Sequence, residues 1–360
     1  MTVQGGQCPP VGLRRPRGHT LTAPVVAAVH APAPAPAPIH PPVAVPAPAP
    51  APAPAPGPAW NQVTPQLAHC RHEADVFPTA WSRIDDTRFR VTAHWPAAHS
   101  FFGPADDRHQ DPMVVAETLR QATMLLTHAE FGSPLGTCFV MHDLQVHIRP
   151  GALLVADAGQ QVDIDVVCSE VRRRRTGLNG MRTTMEFRRG GRLVAHGSSS
   201  LTCSTPQAYL RLRAPQLAVL GHPVPLVAGL EPEQVGRTRT EDVVLAPADR
   251  PHTWLLRLNT AHPTLFHRPN DHVPGMLLIE AARQAATAAT GHAGPPPDSL
   301  AAAFDRYAEL DRPCWIEARV QPPQDPGAPL TVRVRGHQDG QDVFTAEVHL
   351  PRPTGARTRP

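Results

Sequence analysis

No C-x-x-C pair, no glycine-rich phosphate loop and no long apolar run occurs in the 360 residues of this chain. Each absence excludes something. Six cysteines (Cys8, Cys70, Cys138, Cys168, Cys203 and Cys314) are scattered, which suits free thiols in a reducing cytoplasm better than a disulfide framework or a zinc ribbon. Without a P-loop or a G-x-G-x-x-G turn, no nucleotide cofactor is indicated, and none of any other kind is expected. Without a run of some 20 apolar residues no membrane span is expected. The segment "RRPRGHTLTAPVVAAVHAPA" has arginines and a weak apolar patch, but the patch is too short for a convincing signal peptide. A net charge of +3 is too small to point to nucleic acid.

Proline, in contrast, is abundant: 45 residues, many of them before position 60 in "APAPAPAP"-type runs. Alternating Ala-Pro favours extended polyproline II and buries nothing, so residues 1–60 are expected to form a disordered tail. The remaining length, about 300 residues, suffices for two ordinary domains.

An internal repeat organises that remainder. Residues 108–123, "RHQDPMVVAETLRQAT", align without gaps on residues 271–286, "DHVPGMLLIEAARQAA". His109 meets His272, Met113 meets Met276, Glu117 meets Glu280, Arg120 meets Arg283, Gln121 meets Gln284 and Ala122 meets Ala285. Each copy follows a His- and Phe-containing stretch, "TAHWPAAHSFF" and "TAHPTLFH". Each is followed by alternating, strand-like runs. In the first half these are "FVMHDLQVHI", "QVDIDVVCSEV", "GMRTTMEFRR" and "RLVAHGSSSLTC", with turn signals at "GLNG" and Gly190-Gly191. In the second half they are "CWIEARV", "LTVRVRGH" and "DVFTAEVHL", with a turn at Asp339-Gly340. The pattern predicts an α+β unit made twice, a curved antiparallel sheet around one long helix. The expected boundaries are 61–205 for the first domain, 206–237 for a connector, 238–351 for the second domain and 352–360 for a C-terminal tail.

Wound at 3.6 residues per turn, the second helix is apolar nearly all round. Glu280, Arg283, Gln284 and Thr287 make one narrow polar stripe, and Glu117, Arg120, Gln121 and His128 repeat it in the first. Such a stripe faces a cleft, a partner or an internal ion-pair network. A buried carboxylate needs a partner, and the arginine three residues on can supply it in both helices. If the stripe faces a cleft, Gln284 and Gln121, with His267 and His272 upstream, are candidates to bind substrate. In "VPG", Pro274 sits near the first helical position, and the free N–H groups at Gly275 and Met276 suit a developing oxyanion.

The stretch "FHRPNDHVPGMLLIEAARQA" resembles the helix motif of hot-dog 3-hydroxyacyl carrier-protein dehydratases, although His267 falls one residue nearer the Pro-Gly than the dehydratase histidine does. The chain resembles the A-factor biosynthesis (AfsA-type) family more closely. That resemblance rests on "DHVPGMLLIEAARQA" and on "AETLRQATMLLTHAEFGSPLGTCFVMHDL", and it extends over about residues 85–350. It implies a tandem hot-dog fold and an acyltransferase. The family joins a β-ketoacyl group from acyl carrier protein to the hydroxyl of dihydroxyacetone phosphate, the first step toward γ-butyrolactone signals. No cofactor or metal is implied, and chains could pair further as a homodimer.

On this reading Glu280 is the general base, Gly275 and Met276 hold the oxyanion, and Arg283 orients Glu280 or binds phosphate. Glu117 and Arg120 form a pseudo-equivalent site, with Asp111-Pro112 in place of Pro-Gly. The second half is therefore expected to carry the chemistry. Arg172, Arg173, Arg174 and Arg175 lie near a hairpin turn, as a solvated face or as a dock for the acidic carrier protein. His262, His267 and His272 lack common zinc spacing, and Cys138 and Cys314 read as small buried hydrophobes rather than nucleophiles. A dehydratase or thioesterase on the same cleft, or a non-catalytic acyl-binding protein, stays open as an alternative.

Overall fold

A computed structural model describes residues 59–351 except 104–108, 155–160, 176, 219, 221, 292–293, 324 and 326–327. The expected terminal tails lie almost wholly outside the described residues. Among the described residues the first half comprises β1 (Asn61–Gln62), β2 (Pro78–Arg83), β3 (Arg88–His94), α1 (Met113–Ala129), β4 (Cys138–Ile148), β5 (Gln161–Arg174), β6 (Gly177–Arg189) and β7 (Arg192–Ser204). A helix, α2 (Pro206–Leu217), opens the connector. The second half comprises β8 (Leu245–Pro247), β9 (Thr253–Leu256), α3 (Gly275–Thr290), β10 (Ser299–Phe304), β11 (Trp315–Val320), β12 (Leu330–Gln338) and β13 (Gln341–Leu350).

The strands form one antiparallel sheet in the order β1-β2-β3-β5-β6-β7-β4-β10-β13-β12-β11-β9-β8. Read outward from the β4–β10 pair, the two arms match strand for strand: β7 with β13, β6 with β12, β5 with β11, β3 with β9 and β2 with β8. The halves are thus joined at their central edges, where Leu144 faces Ala302. Each arm wraps its own helix. Helix α1 packs on β7, β4, β6 and β2, and α3 packs on β11, β13, β12, β10 and β8. This is a tandem hot-dog fold of the α+β class.

The alternation of β5 explains its face. Val162, Ile164, Val166 and Cys168 are buried while Asp163, Asp165 and Val167 point out. Leu119 and Leu125 of α1 are wholly buried, each contributing about 1.5–3 kcal/mol. A Cβ on Gly197 of β7 would stand 2.5 Å from Leu119 Cδ1, so a glycine is required where helix and sheet come closest.

Two details differ from the sequence pattern. "GLNG" is not a turn but the start of β6; the chain reverses between Arg174 and Gly177. Six short strands, β1, β2, β3, β8, β9 and β10, were not located from the sequence. The run "SLAAAF" of β10 has little strand propensity of its own and is held by β4 and β13 on either side.

Candidate active site

The polar stripes of α1 and α3 lie in two copies of one constellation. In the first, Glu117 accepts from Arg120 Nε (2.9 Å), Arg120 Nη2 (2.6 Å) and Gln121 Nε2 (2.8 Å). Gln121 also accepts from Phe77 N and donates to the carbonyl of Asp75. The Asp75 carboxylate faces His99 Nε2 at 2.9 Å, while His99 Nδ1 accepts from the backbone N–H groups of Phe101 and Phe102. In the second copy, Glu280 takes the same bonds from Arg283 and Gln284. Gln284 then bridges Val244 N and Asp242 O, and Asp242 faces His262 at 2.9 Å. Even the last guanidinium contact repeats: Arg120 Nη2 donates to Ala68 O and Arg283 Nη2 to Val235 O.

One difference between the copies reaches the carboxylate itself. Five residues before Asp75 stands Cys70; five residues before Asp242 stands Arg237. Arg237 Nε donates to Glu280 Oε1 (2.8 Å), and its Nη1 donates to Asp111 Oδ2 (2.5 Å) and Phe101 O. Its guanidinium also lies over the Phe101 ring. Glu280 is therefore 0% exposed. Burial alone would raise its carboxyl; the charges of Arg237 and Arg283 outweigh that and hold it at about 2. Of the three possibilities for the α3 stripe, the structure shows an internal ion-pair network, with Arg283 buried and tied to Glu280.

The first copy is more open. The Arg120 side chain keeps 16% of its exposure and Glu117 10%. Loops of both halves converge here. His69 and Cys70 come from the first, His267 and Arg268 from the second, and their charges are felt mutually with Arg120 and Glu117. His267 Nδ1 lies 3.3 Å from Thr264 O, so that nitrogen carries the proton and donates. Its Nε2 is then a bare lone pair, buried and with no partner among the described residues. Burial, with Arg120 nearby, lowers the pKa of this ring and keeps it neutral. His128 Nδ1 similarly faces Ser133 O (2.7 Å), which leaves its Nε2 to accept from His69 Nε2 (2.8 Å). Burial and the Arg268 charge push His69 down to about 3. Burial pushes the neighbouring Cys70 thiol up to about 12, which makes it a poor nucleophile.

A cleft of about 1060 Å³ opens beside His267, lined by Arg71, Arg268, Arg312, Phe266, Leu256 and Leu310 among others. Apolar and basic side chains both line it.

The other predicted residues fall as follows. Helix α3 starts at Gly275 with Pro274 as its N-cap, and no acceptor among the described residues takes the N–H groups of Gly275 and Met276. The ring of Phe304 borders Gly275, 3.6 Å from where a Cβ would stand. In α1 the matching N–H is already taken, since Asp111 Oδ1 accepts from Met113 N at 2.8 Å. His272 is bound to Asp271 (2.9 Å) and packs edge-on against Tyr307. It belongs to a clamp in which Arg213 of α2 bridges Asp271 and Glu309, fastening the connector to the second half. Arg172, Arg173, Arg174 and Arg175 are all exposed, at the end of β5 and in the turn after it. Cys138 is half-buried, Cys314 is fully buried with its thiol pushed up to about 12, and all five described cysteines are free.

Sequence reasoning did not single out His69, Cys70, Arg237 or Arg268. The available signal was an Asp-Val pair, Asp75-Val76 and Asp242-Val243, out of step with the helix repeat by four residues. An ungapped alignment misses it.

A duplicated hot-dog enclosing an acid–guanidinium–histidine site at the joint of its halves defines the class. The profile of the A-factor biosynthesis hotdog domain matches residues 53–205 and 222–351. The chain belongs to that family. It is 45% identical over 283 residues to the 2-oxo-3-(phosphooxy)propyl 3-oxoalkanoate synthase of Streptomyces virginiae, covering 79% of this chain and 95% of the relative. Against the protein of the same name from Streptomyces griseus, identity is 44% over 291 residues, 81% of this chain and 96% of the relative. Among solved structures, the 12:0-ACP thioesterase from Umbellularia californica aligns with a TM-score of 0.45 at 16% identity, over 74% of this chain and 98% of that one.

Proposed function

We propose that this protein is a 2-oxo-3-(phosphooxy)propyl 3-oxoalkanoate synthase, an acyltransferase. It transfers a β-ketoacyl group from the thioester of acyl carrier protein to the hydroxyl of dihydroxyacetone phosphate in the cytoplasm. The relatives' name supports the reaction. The observation that carries the site assignment is the bare Nε2 of His267, neutral and unpartnered beside Glu117 and Arg120.

His267 Nε2 takes the proton from the attacking hydroxyl. The oxygen adds to the thioester carbonyl, and the carbonyl oxygen becomes negative. Arg120, held rigidly by Glu117, and the free N–H groups of Gly275 and Met276 are assigned to that charge. Collapse breaks the C–S bond, and His267 returns its proton to the departing thiolate of the carrier. Glu117 keeps Arg120 charged and in place. Glu280 and Arg283, expected from the sequence to be base and orienter, take a supporting role in the closed copy, where both are buried. Gln121 and Gln284 hold their respective carboxylates rather than substrate.

The test supplies a β-ketoacyl thioester with and without dihydroxyacetone phosphate and identifies products by mass spectrometry. Ester formed only with the acceptor supports the reading. Free acid formed equally in both cases would make the protein a thioesterase, and no turnover of any acyl thioester would make it a binding protein. Within the site, His267→Gln should slow transfer by about 10²–10⁴-fold while Glu280→Gln, if it folds, largely retains it; the reverse result would restore Glu280 as the base.

A further inference from the structure

Every strongly basic side chain in this protein is a guanidinium, since the sequence contains no lysine. Most arginines near the two constellations are paired. Arg120, Arg237, Arg283 and Arg213 each bind at least one carboxylate. Arg268 and Arg71, which line the basic cleft, have no carboxylate partner among the described residues. The cleft contains one acid, Asp311, and that group faces Arg312 at 3.8 Å. The lining therefore carries more positive charge than the protein neutralises. Burial, and after it the charge of Arg120, makes the positive charge of Arg268 harder to hold. Arg120 is matched by Glu117, whereas Arg268 has no acid of its own, and an anionic ligand would supply the missing charge.

We infer that Arg268, with Arg71 of the same cleft lining, forms a subsite for the phosphoryl group of the substrate. A planar guanidinium offers two parallel N–H donors to phosphate oxygens, which an ammonium cannot do. This inference rests on the acyl-transfer reading, and it names the phosphate monoester of the acceptor as the group bound. Adjacency in sequence supports the choice. His267 takes the hydroxyl proton, and a three-carbon acceptor leaves little distance between that hydroxyl and its phosphate. Arg268 lines the same cleft as His267. The apolar lining residues Phe266, Leu256 and Leu310 are left for the acyl chain.

The experiment compares wild type with Arg268→Gln, Arg268→Lys and Arg71→Gln. Calorimetry with glycerol 3-phosphate and with inorganic phosphate reads binding without turnover. Kinetics with dihydroxyacetone phosphate and with dihydroxyacetone read the preference for a phosphorylated acceptor. Loss of one charged contact should weaken glycerol 3-phosphate binding and reduce that preference roughly tenfold to a hundredfold in Arg268→Gln, with partial recovery in Arg268→Lys. A phosphodiester in the carrier's pantetheine arm offers the same chemistry. If Arg268→Gln instead raises KM only for carrier-bound donor, and not for acyl-pantetheine lacking phosphate, the subsite is a phosphate site serving the donor. Unchanged glycerol 3-phosphate binding together with unchanged KM for both substrates overturns the inference. If wild type transfers acyl groups to no acceptor but still binds glycerol 3-phosphate through Arg268, the reaction fails and the subsite stands.

Discussion

Cys70 and Arg237 occupy the same place in the two halves of this protein. Each precedes the aspartate that orients a histidine, and each is next to a residue with a left-handed backbone, His69 (φ 55) and Gly236 (φ 65). The exchange of a small thiol for a guanidinium separates the two copies of the constellation. Arg237 reaches Glu280 and Asp111 and fills the space; Cys70 leaves Arg120 partly exposed. Duplication supplied two sites, and this position closed one of them.

If Arg237 is a plug and a counter-charge, Arg237→Met leaves Asp111 without a cation and Glu280 with one fewer. Breaking a buried ion pair from one side costs about 3–5 kcal/mol. Equilibrium denaturation should show a loss of that order. A loss below about 1 kcal/mol would mean that water or rearrangement already compensates these carboxylates.

The helices were readable because each is almost wholly apolar with one polar stripe, and because the stripe recurs. The strands β5, β6, β7, β12 and β13 were readable from strict alternation. What the stripe faces could not be read. Glu117 and Glu280 have the same helical neighbours, and their environments diverge through residues 47 and 43 positions upstream, Cys70 and Arg237. Nor could periodicity locate His267 beside Glu117, since a loop of one half meets the helix of the other only after the sheet has formed. The expectation that the Pro-Gly half carries the chemistry treated the halves as independent; in the fold the more open site draws on both.

The neutral state of His267 has a kinetic consequence. The base works when unprotonated, and its pKa lies below the ordinary 6.5. The acid limb of kcat/KM should therefore fall below pH 6.5, leaving the rate level through neutrality. Removing the base with His267→Gln should lower kcat by about 10²–10⁴-fold. A limb above pH 6.5 that survives in the variant would assign the titration to another group.

Carrier docking makes a separate claim on the exposed arginines at the end of β5. Arg173 also lies over the Phe131 ring, 5.5 Å from its centre, so part of its role is packing. Arg174 and Arg175 have no such contact. Arg174→Glu with Arg175→Glu should raise KM for carrier-bound substrate, more strongly at low salt, while a short thioester analogue reacts as before. Equal loss on both substrates would show that the hairpin shapes the site rather than recruiting the carrier.

His69 links the site to acid stability. Its folded pKa of about 3 lies below the unfolded value of 6.5. Between those limits the unfolded chain binds a proton that the native ring refuses. The contribution is complete above pH 6.5 and drains as pH falls toward 3, at up to about 1.4 kcal/mol per pH unit. Asparagine tolerates the left-handed backbone at this position without titrating. The stability of wild type relative to His69→Asn should therefore be lower at pH 5 than at pH 7. If the gap in urea midpoint is the same at both values, the native ring is already exchanging protons with solvent, and the His69–His128 bond does not hold it neutral.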